Sequence, residues 1–304
     1  MRIVFMGTPE IAATCLQKLL DDGRKPVAVY TKIDQPKGRG NKLTESPVKI
    51  LAKSAGIPVI QPVTFKEDAV VEELRALQPD LIIAVAYGKI LPQRVLDIPP
   101  LGCVNIHGSI LPELRGCGPV QWSILNHMDE TGVTAMYMAK ECDAGDMIAI
   151  RKTPIDPDET SGELMDRLAV LGAELLSETV TSIEQGTVKR TPQDHSKATW
   201  APMLTKDLCP IDWTKTKREI RDQVRGLQPW PVATAELGGK SFKIFRVEAL
   251  EGEANAEPGT LLRLTKKGLE IACGDGILSI AEVQAEGGKR MPAPDYFRGH
   301  PIEI

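Results

Sequence analysis

Aromatic side chains are scarce in this chain. They occupy 4% of its 304 positions, so any core must be built mainly from aliphatic groups. Long apolar runs are missing: none reaches the ~18–20 residues a membrane helix needs. None of the six cysteines (Cys15, Cys103, Cys117, Cys142, Cys209, Cys273) forms a C-x-x-C pair, and the four histidines supply no ligand cluster. That pattern argues against a zinc or disulfide framework and for buried or incidental cytosolic thiols, with no metal expected. Basic charge is not in excess either. The net charge is −4, so the chain as a whole is not drawn to nucleic acid and any such contact must come from a local patch. The apolar stretch ending at Met6 and Gly7 is too short for a signal peptide, and the expected location is the cytoplasm, with no membrane association. Internal repeats and low-complexity segments are absent.

What is present is an ordinary globular balance, 42% apolar and 26% charged. The length suggests about two domains. Residues 2–6 read as a strand, followed by a helix over 10–21 with Thr8 as its N-cap and Pro9 in its first turn. Further strands are predicted over 26–31, 57–61, 80–86 and 102–106, with helices over 67–77 and 119–126. Short apolar strands alternating with helices indicate βαβ units and a parallel sheet covered on both faces. Two more strands, 134–138 and 147–154, flank a turn at 142–145. A long helix over 161–184 follows, capped near Thr160 or Ser161. Residues 189–210 lack periodicity and read as a connector. Beyond them a charged helix, 217–225, precedes short strands over 232–236, 241–249, 259–264, 269–273 and 276–283, the spacing of a small barrel or sandwich. The expected architecture is α/β: a Rossmann-like parallel-sheet N-terminal domain over 1–188, a linker over 189–208, and a smaller OB-like β-barrel over 209–304.

In an open parallel sheet, ligands bind at the carboxyl ends of strands. The first strand ends in Gly7-Thr8-Pro9-Glu10, which lacks G-x-G-x-x-G, and no G-x-x-x-x-G-K-[ST] occurs. A dehydrogenase or ATP-binding reading is therefore disfavoured. The densest chemical signal follows the strand at 102–106. Strand alternation puts Asn105 and His107 on one face, aimed into the crevice. Histidine can change protonation near neutral pH, and asparagine offers an uncharged donor to an oxyanion. Gly108 and Pro112 frame the loop that follows. Asp143 lies in the Cys142-to-Asp146 turn, which taken alone is only a turn between strands. Ser109 beside His107 is a nucleophile on paper, but the setting is not a G-x-S-x-G elbow, so a covalent acyl-enzyme lacks support.

The string from Asn105 to Gly116, with Asp143-Ala144-Gly145-Asp146-Met147 downstream, resembles the folate-dependent formyltransferases. They share an Asn, His and Asp motif around a His-Gly-Ser-x-Leu-Pro loop. Four further stretches are similar to the branch that acts on methionyl-tRNA: the opening to Glu10, the loop from Gln35 to Leu43, the stretch from Ala86 to Pro92, and the C-terminal region with Leu227 to Pro231. The likeness spans essentially the whole chain. Ile110 stands where leucine is usual, and Cys117-Gly118 where small alanines are common; these departures touch packing near the loop more than chemistry.

The resemblance implies transfer of a formyl group from the co-substrate 10-formyltetrahydrofolate to the methionine α-amino group of initiator Met-tRNA, for translation initiation. The substrate's amine attacks directly, through a tetrahedral intermediate. It implies catalytic roles for Asn105, His107 and Asp143, with Asn105 and His107 at the oxyanion, His107 moving protons and Asp143 orienting His107. Folate contacts are implied at Tyr87, Gly88, Ile90, Leu91, Ser109, Ile110, Leu111 and Pro112. The pteridine is expected against the backbone near 86–91 and in the region from Tyr137 to Asp143. Contacts to tRNA are implied at Lys37, Arg39 and Lys42. That loop, counted from Lys32 to Lys49, carries five basic against two acidic side chains. Lys215, Lys217, Arg218, Arg221 and Arg225 add a second basic group, and the default assembly is a monomer. Two alternatives remain at this point: a formyltransferase acting on a small amine, such as glycinamide ribonucleotide or an amino sugar, of which a purine-pathway enzyme would not need the region after 205; and a non-catalytic RNA-binding protein on the same scaffold, against which the intact Asn105, His107 and Asp143 argue.

Overall fold

The computed structural model describes residues 1–37 and 42–304. It divides into two compact units. The first comprises residues 1–119, 131–153 and 165–201, and the second 120–130, 154–164 and 202–304.

The first unit is built on a seven-stranded sheet in the order Met147–Pro154, Glu130–Tyr137, Cys103–His107, Leu81–Val85, Ile3–Gly7, Ala28–Tyr30, Val59–Ile60. The last five of these strands run parallel, and Glu130–Tyr137 pairs antiparallel with Cys103–His107. Ile3–Gly7 and Leu81–Val85 are buried at every residue, as parallel strands covered on both faces must be. On one face Val4, Met6, Tyr30, Ile82 and Ala84 pack against Val71, Leu74 and Val95. The chain adds strands to one side of Ile3–Gly7 and then crosses to the other, which makes the ends of Ile3–Gly7 and Leu81–Val85 the switch point where a ligand crevice opens.

The helix Glu10–Asp21 takes Pro9, not Thr8, as its N-cap residue. Thr8 instead donates its hydroxyl to the Tyr87 carbonyl at 3.1 Å, tying together the ends of the two strands that border the switch point. The helix Pro47–Ser54 was hidden from the sequence reading. Ser46 caps it by accepting from the Lys49 amide. The segment read as a connector contains the strand Trp200–Ala201, which pairs in parallel with Arg115–Gly116.

The second unit carries an antiparallel sheet in the order Thr234–Leu237, Lys240–Leu250, Gly276–Ala285, Leu269–Cys273, Leu261–Leu264, with Met291–Pro292 paired to Gly276–Ala285. The expected barrel is thus realised as an antiparallel half-barrel. Its core joins Phe242, Ile244, Leu269, Ile271, Leu278 and Ile280 to Ile220 and Val224 of the helix Lys217–Gly226 and to Leu227 at its C-cap. Thr216 and Glu219 form a reciprocal capping box at the start of that helix, satisfying amides that would otherwise lack partners. The helix Ala293–Gly299, unread in the sequence, adds Phe297 to the same core.

Candidate functional site

Asn105 and His107 lie on one face of Cys103–His107, opposite Met136 and Thr134 of the antiparallel neighbour. The Asn105 side chain is half-buried and makes no hydrogen bond among the described residues. Its amide is free to donate into the crevice. His107 is buried, and its Nε2 sits 2.9 Å from the Leu114 carbonyl. A carbonyl only accepts, so Nε2 carries a hydrogen, and in the uncharged ring the lone pair lies at Nδ1. Asp143 Oδ1 lies 3.8 Å from that Nδ1. With the ring uncharged, two acceptors face one another across a gap that a proton would fill.

The other carboxylate oxygen, Oδ2, is already occupied. It accepts from the Gly116 amide at 2.9 Å and from the Cys142 thiol at 3.1 Å. Desolvation, reinforced by this hydrogen bond, pushes the Cys142 thiol up to about 12, so it remains a donor. Asp143 holds a left-handed backbone, φ 51°, and so does Leu114, φ 57°. Non-glycine residues in that region carry roughly 1–3 kcal/mol of strain each, and such strain concentrates where geometry serves function. Gly145 is required for a steric reason: a Cβ there would lie 1.9 Å from the Tyr137 carbonyl oxygen.

The loop after His107 is pinned from several sides. Ser109 spends its hydroxyl on the Glu113 carbonyl, 2.6 Å, which leaves it no nucleophilic role. Thr134 donates to the Ser109 carbonyl at 2.7 Å and accepts from the Leu111 amide at 3.1 Å. The Leu111–Pro112 peptide is cis. Thr199 accepts from the Leu114 amide with its hydroxyl and from the Arg115 amide with its carbonyl, both at 2.9 Å.

Of the residues assigned to folate, Tyr87, Leu91, Ser109 and Leu111 have buried side chains, and Ile110 and Pro112 are half-buried. Ala86 (φ 43°) and Gly88 (φ 72°) turn the chain outward at the strand end. Gly88 is exposed there, and Ile90 is 90% exposed. An unspent amide at Asn105, open backbone and an uncovered isoleucine at the ends of adjoining strands suit a flat, partly apolar heterocycle.

On the basic loop, Lys37 and Lys42 stand opposite one another in the hairpin formed by Gln35–Lys37 and Lys42–Thr44. Arg39 lies outside the described residues. Lys49, counted with this basic group, is committed elsewhere, 2.6 Å from Asp34 and 3.4 Å from Glu45. In the second unit, Lys217, Arg218, Arg221 and Arg225 line a cavity of about 380 Å³ together with Asp129 and Asp275. Arg225 is buried and bound to Asp222 at 2.8 Å, so it is structural. Arg221 Nε is buried without a hydrogen-bond partner.

Gln193 and the Arg115 side chain were missed as site residues. Gln193 sits in a segment with no periodicity, and only its distance to Asp143 reveals it.

The family model described as Formyl transferase matches residues 1–180, and the one described as Formyl transferase, C-terminal domain, matches residues 203–301. A methionyl-tRNA formyltransferase of Geotalea uraniireducens (strain Rf4) is 49% identical over 302 residues, 99% of this chain and 96% of that protein. Among solved structures, an N-formyltransferase from Helicobacter canadensis in complex with folinic acid and dTDP-3-aminofucose superposes with a TM-score of 0.71 at 20% identity, covering 92% of this chain and 98% of that one. HypX from Aquifex aeolicus in complex with tetrahydrofolic acid superposes with a TM-score of 0.66 at 22% identity, covering 98% of this chain and 47% of that longer one. These two likenesses speak to fold, and the near-full-length identity speaks to descent: the chain belongs to the formyl transferase family.

Proposed function

We propose that this protein transfers the formyl group of 10-formyltetrahydrofolate to the methionine α-amino group of initiator Met-tRNA. The observation that carries this reading is the 49% identity to a methionyl-tRNA formyltransferase over nearly the full length of both chains. The convergence of Asn105, His107 and Asp143 supports it. The basic helix Lys217–Gly226 of the second unit gives a tRNA substrate a surface to meet.

Bound folate supplies an electrophilic formyl carbon; the rest of the chemistry belongs to the protein and the substrate amine. The attacking nucleophile is the amine, so no side chain needs to form a covalent bond. The Asn105 amide, unspent in the free protein, donates to the formyl oxygen as negative charge develops there. Losing a donor of this kind costs about 10²–10³ in rate. His107 Nδ1, facing Asp143 Oδ1, accepts the proton that leaves the amine as the C–N bond forms. His107 returns a proton to the departing folate nitrogen as the old C–N bond breaks. Asp143, negative and 3.8 Å away, favours the imidazolium at the moment it forms.

Ile90 and the backbone of 86–88 flank the pteridine, with the 109–112 loop on the formyl side. Lys37, Arg39 and Lys42 meet the acceptor end of the tRNA, and Lys217, Arg218 and Arg221 of the 217–226 helix meet its backbone. Phosphate contacts release counterions, so binding weakens as salt rises.

The test is incubation with 10-formyltetrahydrofolate and three acceptors: initiator Met-tRNA, elongator Met-tRNA and a small amine. Formylation of the initiator species above both others, falling with added salt and with Arg39→Ala, is the expected result. Equal turnover of a small amine, or insensitivity to both salt and Arg39→Ala, would overturn it.

A further inference from the structure

We infer that Gln193, held by Arg115, is a positioning residue that sets the direction of the Asp143 carboxylate, and that the 191–201 segment is therefore part of the catalytic unit. The inference rests on the role given above to Asp143. Gln193 lies between the two family-model matches, which end at 180 and resume at 203, and nothing in its local sequence marks it for this task.

The 143–145 segment lies in no helix or strand; a long 3.4 Å bond from the Ala144 amide to the Glu141 carbonyl crosses it, and its first residue is in the left-handed region. Something else must fix it. Gln193 Nε2 donates to the Asp143 carbonyl and to the Gly145 carbonyl, each at 2.8 Å. Both amide hydrogens are thereby spent on this one turn. Its Oε1 accepts from Arg115 Nε at 3.1 Å and from Arg115 Nη2 at 2.7 Å. A guanidinium only donates and a carbonyl only accepts, so the amide cannot flip without losing all four bonds. Gln193 and Arg115 are 5% and 4% exposed, so these bonds are sheltered from competing water.

Arg115 is unusual as a buried cation. It has no carboxylate partner among the described residues; beyond Gln193 it donates to His195 Nδ1 at 3.2 Å. A desolvated charge without a counter-ion is costly, and an apolar residue would pack there more cheaply. What the arrangement achieves is a two-sided grip. Arg115 orients the amide that holds the Asp143 main chain, while the next residue, Gly116, donates its amide to the Asp143 carboxylate. With Oδ2 anchored by Gly116 and the main chain by Gln193, Oδ1 is left facing His107.

The experiment compares Gln193→Leu, Gln193→Glu, Asp143→Ala and the double variant Asp143→Ala/Gln193→Leu, each in the full chain, by steady-state formylation. Gln193→Glu keeps the shape and the Arg115 contact but loses both donors to the turn, so it remains informative if Gln193→Leu fails to fold. A misplacement of about 1 Å can cost ~10²-fold in rate. The expected result is a kcat loss approaching that size in both Gln193 variants. KM for Met-tRNA and for the folate should change far less. In the Asp143→Ala background, Gln193→Leu should cost almost nothing further, because residues acting through one group are non-additive. A full additional loss in that background, or kcat preserved in Gln193→Glu while Asp143→Ala is impaired, would overturn the inference and leave the Asp143 role intact. Near-full turnover in Asp143→Ala would overturn both.

Discussion

Two histidine–carboxylate pairs occur among the described residues, and they are built in opposite ways. In the second unit, His127 Nδ1 lies 2.8 Å from Asp222 Oδ2, and Asp222 is fully buried with Arg225 2.8 Å from its other oxygen. A carboxylate only accepts, so His127 places its hydrogen on Nδ1, and the pair is complete. In the first unit, His107 spends its hydrogen through Nε2 on the Leu114 carbonyl and meets Asp143 with a lone pair at 3.8 Å. With the ring uncharged, that pair has room for a proton between its members. A saturated pair stabilises a fold; an unsaturated one, on strained backbone beside an unspent asparagine, suits the proton-accepting role proposed for it.

The contrast can be broken at either end. Asp222→Ala removes the acceptor of a buried, hydrogen-bonded guanidinium and is expected to cost about 3–5 kcal/mol of stability. A thermal or denaturant unfolding curve checks this, and turnover per folded molecule should hold. At the other pair the signs reverse. Asn105→Ala, His107→Ala and Asp143→Ala should each lower kcat per folded molecule by about 10²–10³; the unfolding midpoint should hold in Asn105→Ala and fall in the other two, which lose the bonds to the Leu114 carbonyl and the Gly116 amide. A folded variant with near-full turnover would remove that residue from the chemistry. Gly145→Ala lies between the two classes. Its Cβ must push the Tyr137 carbonyl aside, at a cost of about 1–3 kcal/mol, and it should lower kcat as well by shifting Asp143. Unfolding and turnover measured on the same sample separate the two effects.

The smallest effects belong to the helix caps. Thr216→Ala should cost about 1 kcal/mol, read from the unfolding midpoint. Glu219 accepts from the Thr216 amide and hydroxyl, which holds its carboxyl below the ordinary 4.5. A lowered folded value means that this contribution is full above pH 4.5 and is lost as pH falls through the folded value. Glu219→Gln keeps the capping geometry and should flatten that acid dependence in a pH series of melting temperatures.

Much of the fold was legible because local patterns encode it. The 161–184 helix and the strands at 147–154 and 269–273 fall where periodicity put them. The helices at 47–54 and 293–299 were not seen: the first is short, and the second begins with Ala293-Pro294 beside a two-residue strand. Thr8 failed as a cap because a partner 79 residues away, the Tyr87 carbonyl, claimed its hydroxyl. Lys49 looked like part of a free basic loop until Asp34 and Glu45 were found beside it.

At the site, the sequence by itself determined that Asn105 and His107 share a face, since strand alternation is local. It also supplied the glycine and proline that frame their loop, and a motif strong enough to name a family. Only the tertiary structure decided which nitrogen of His107 is free, which oxygen of Asp143 is spent, and that Gln193 reaches back 50 residues to hold the turn. The reason is that periodicity reports which face a residue presents, whereas hydrogen bonds between distant segments depend on how those segments are brought together, and a single glutamine in an aperiodic stretch leaves no local trace of its partner.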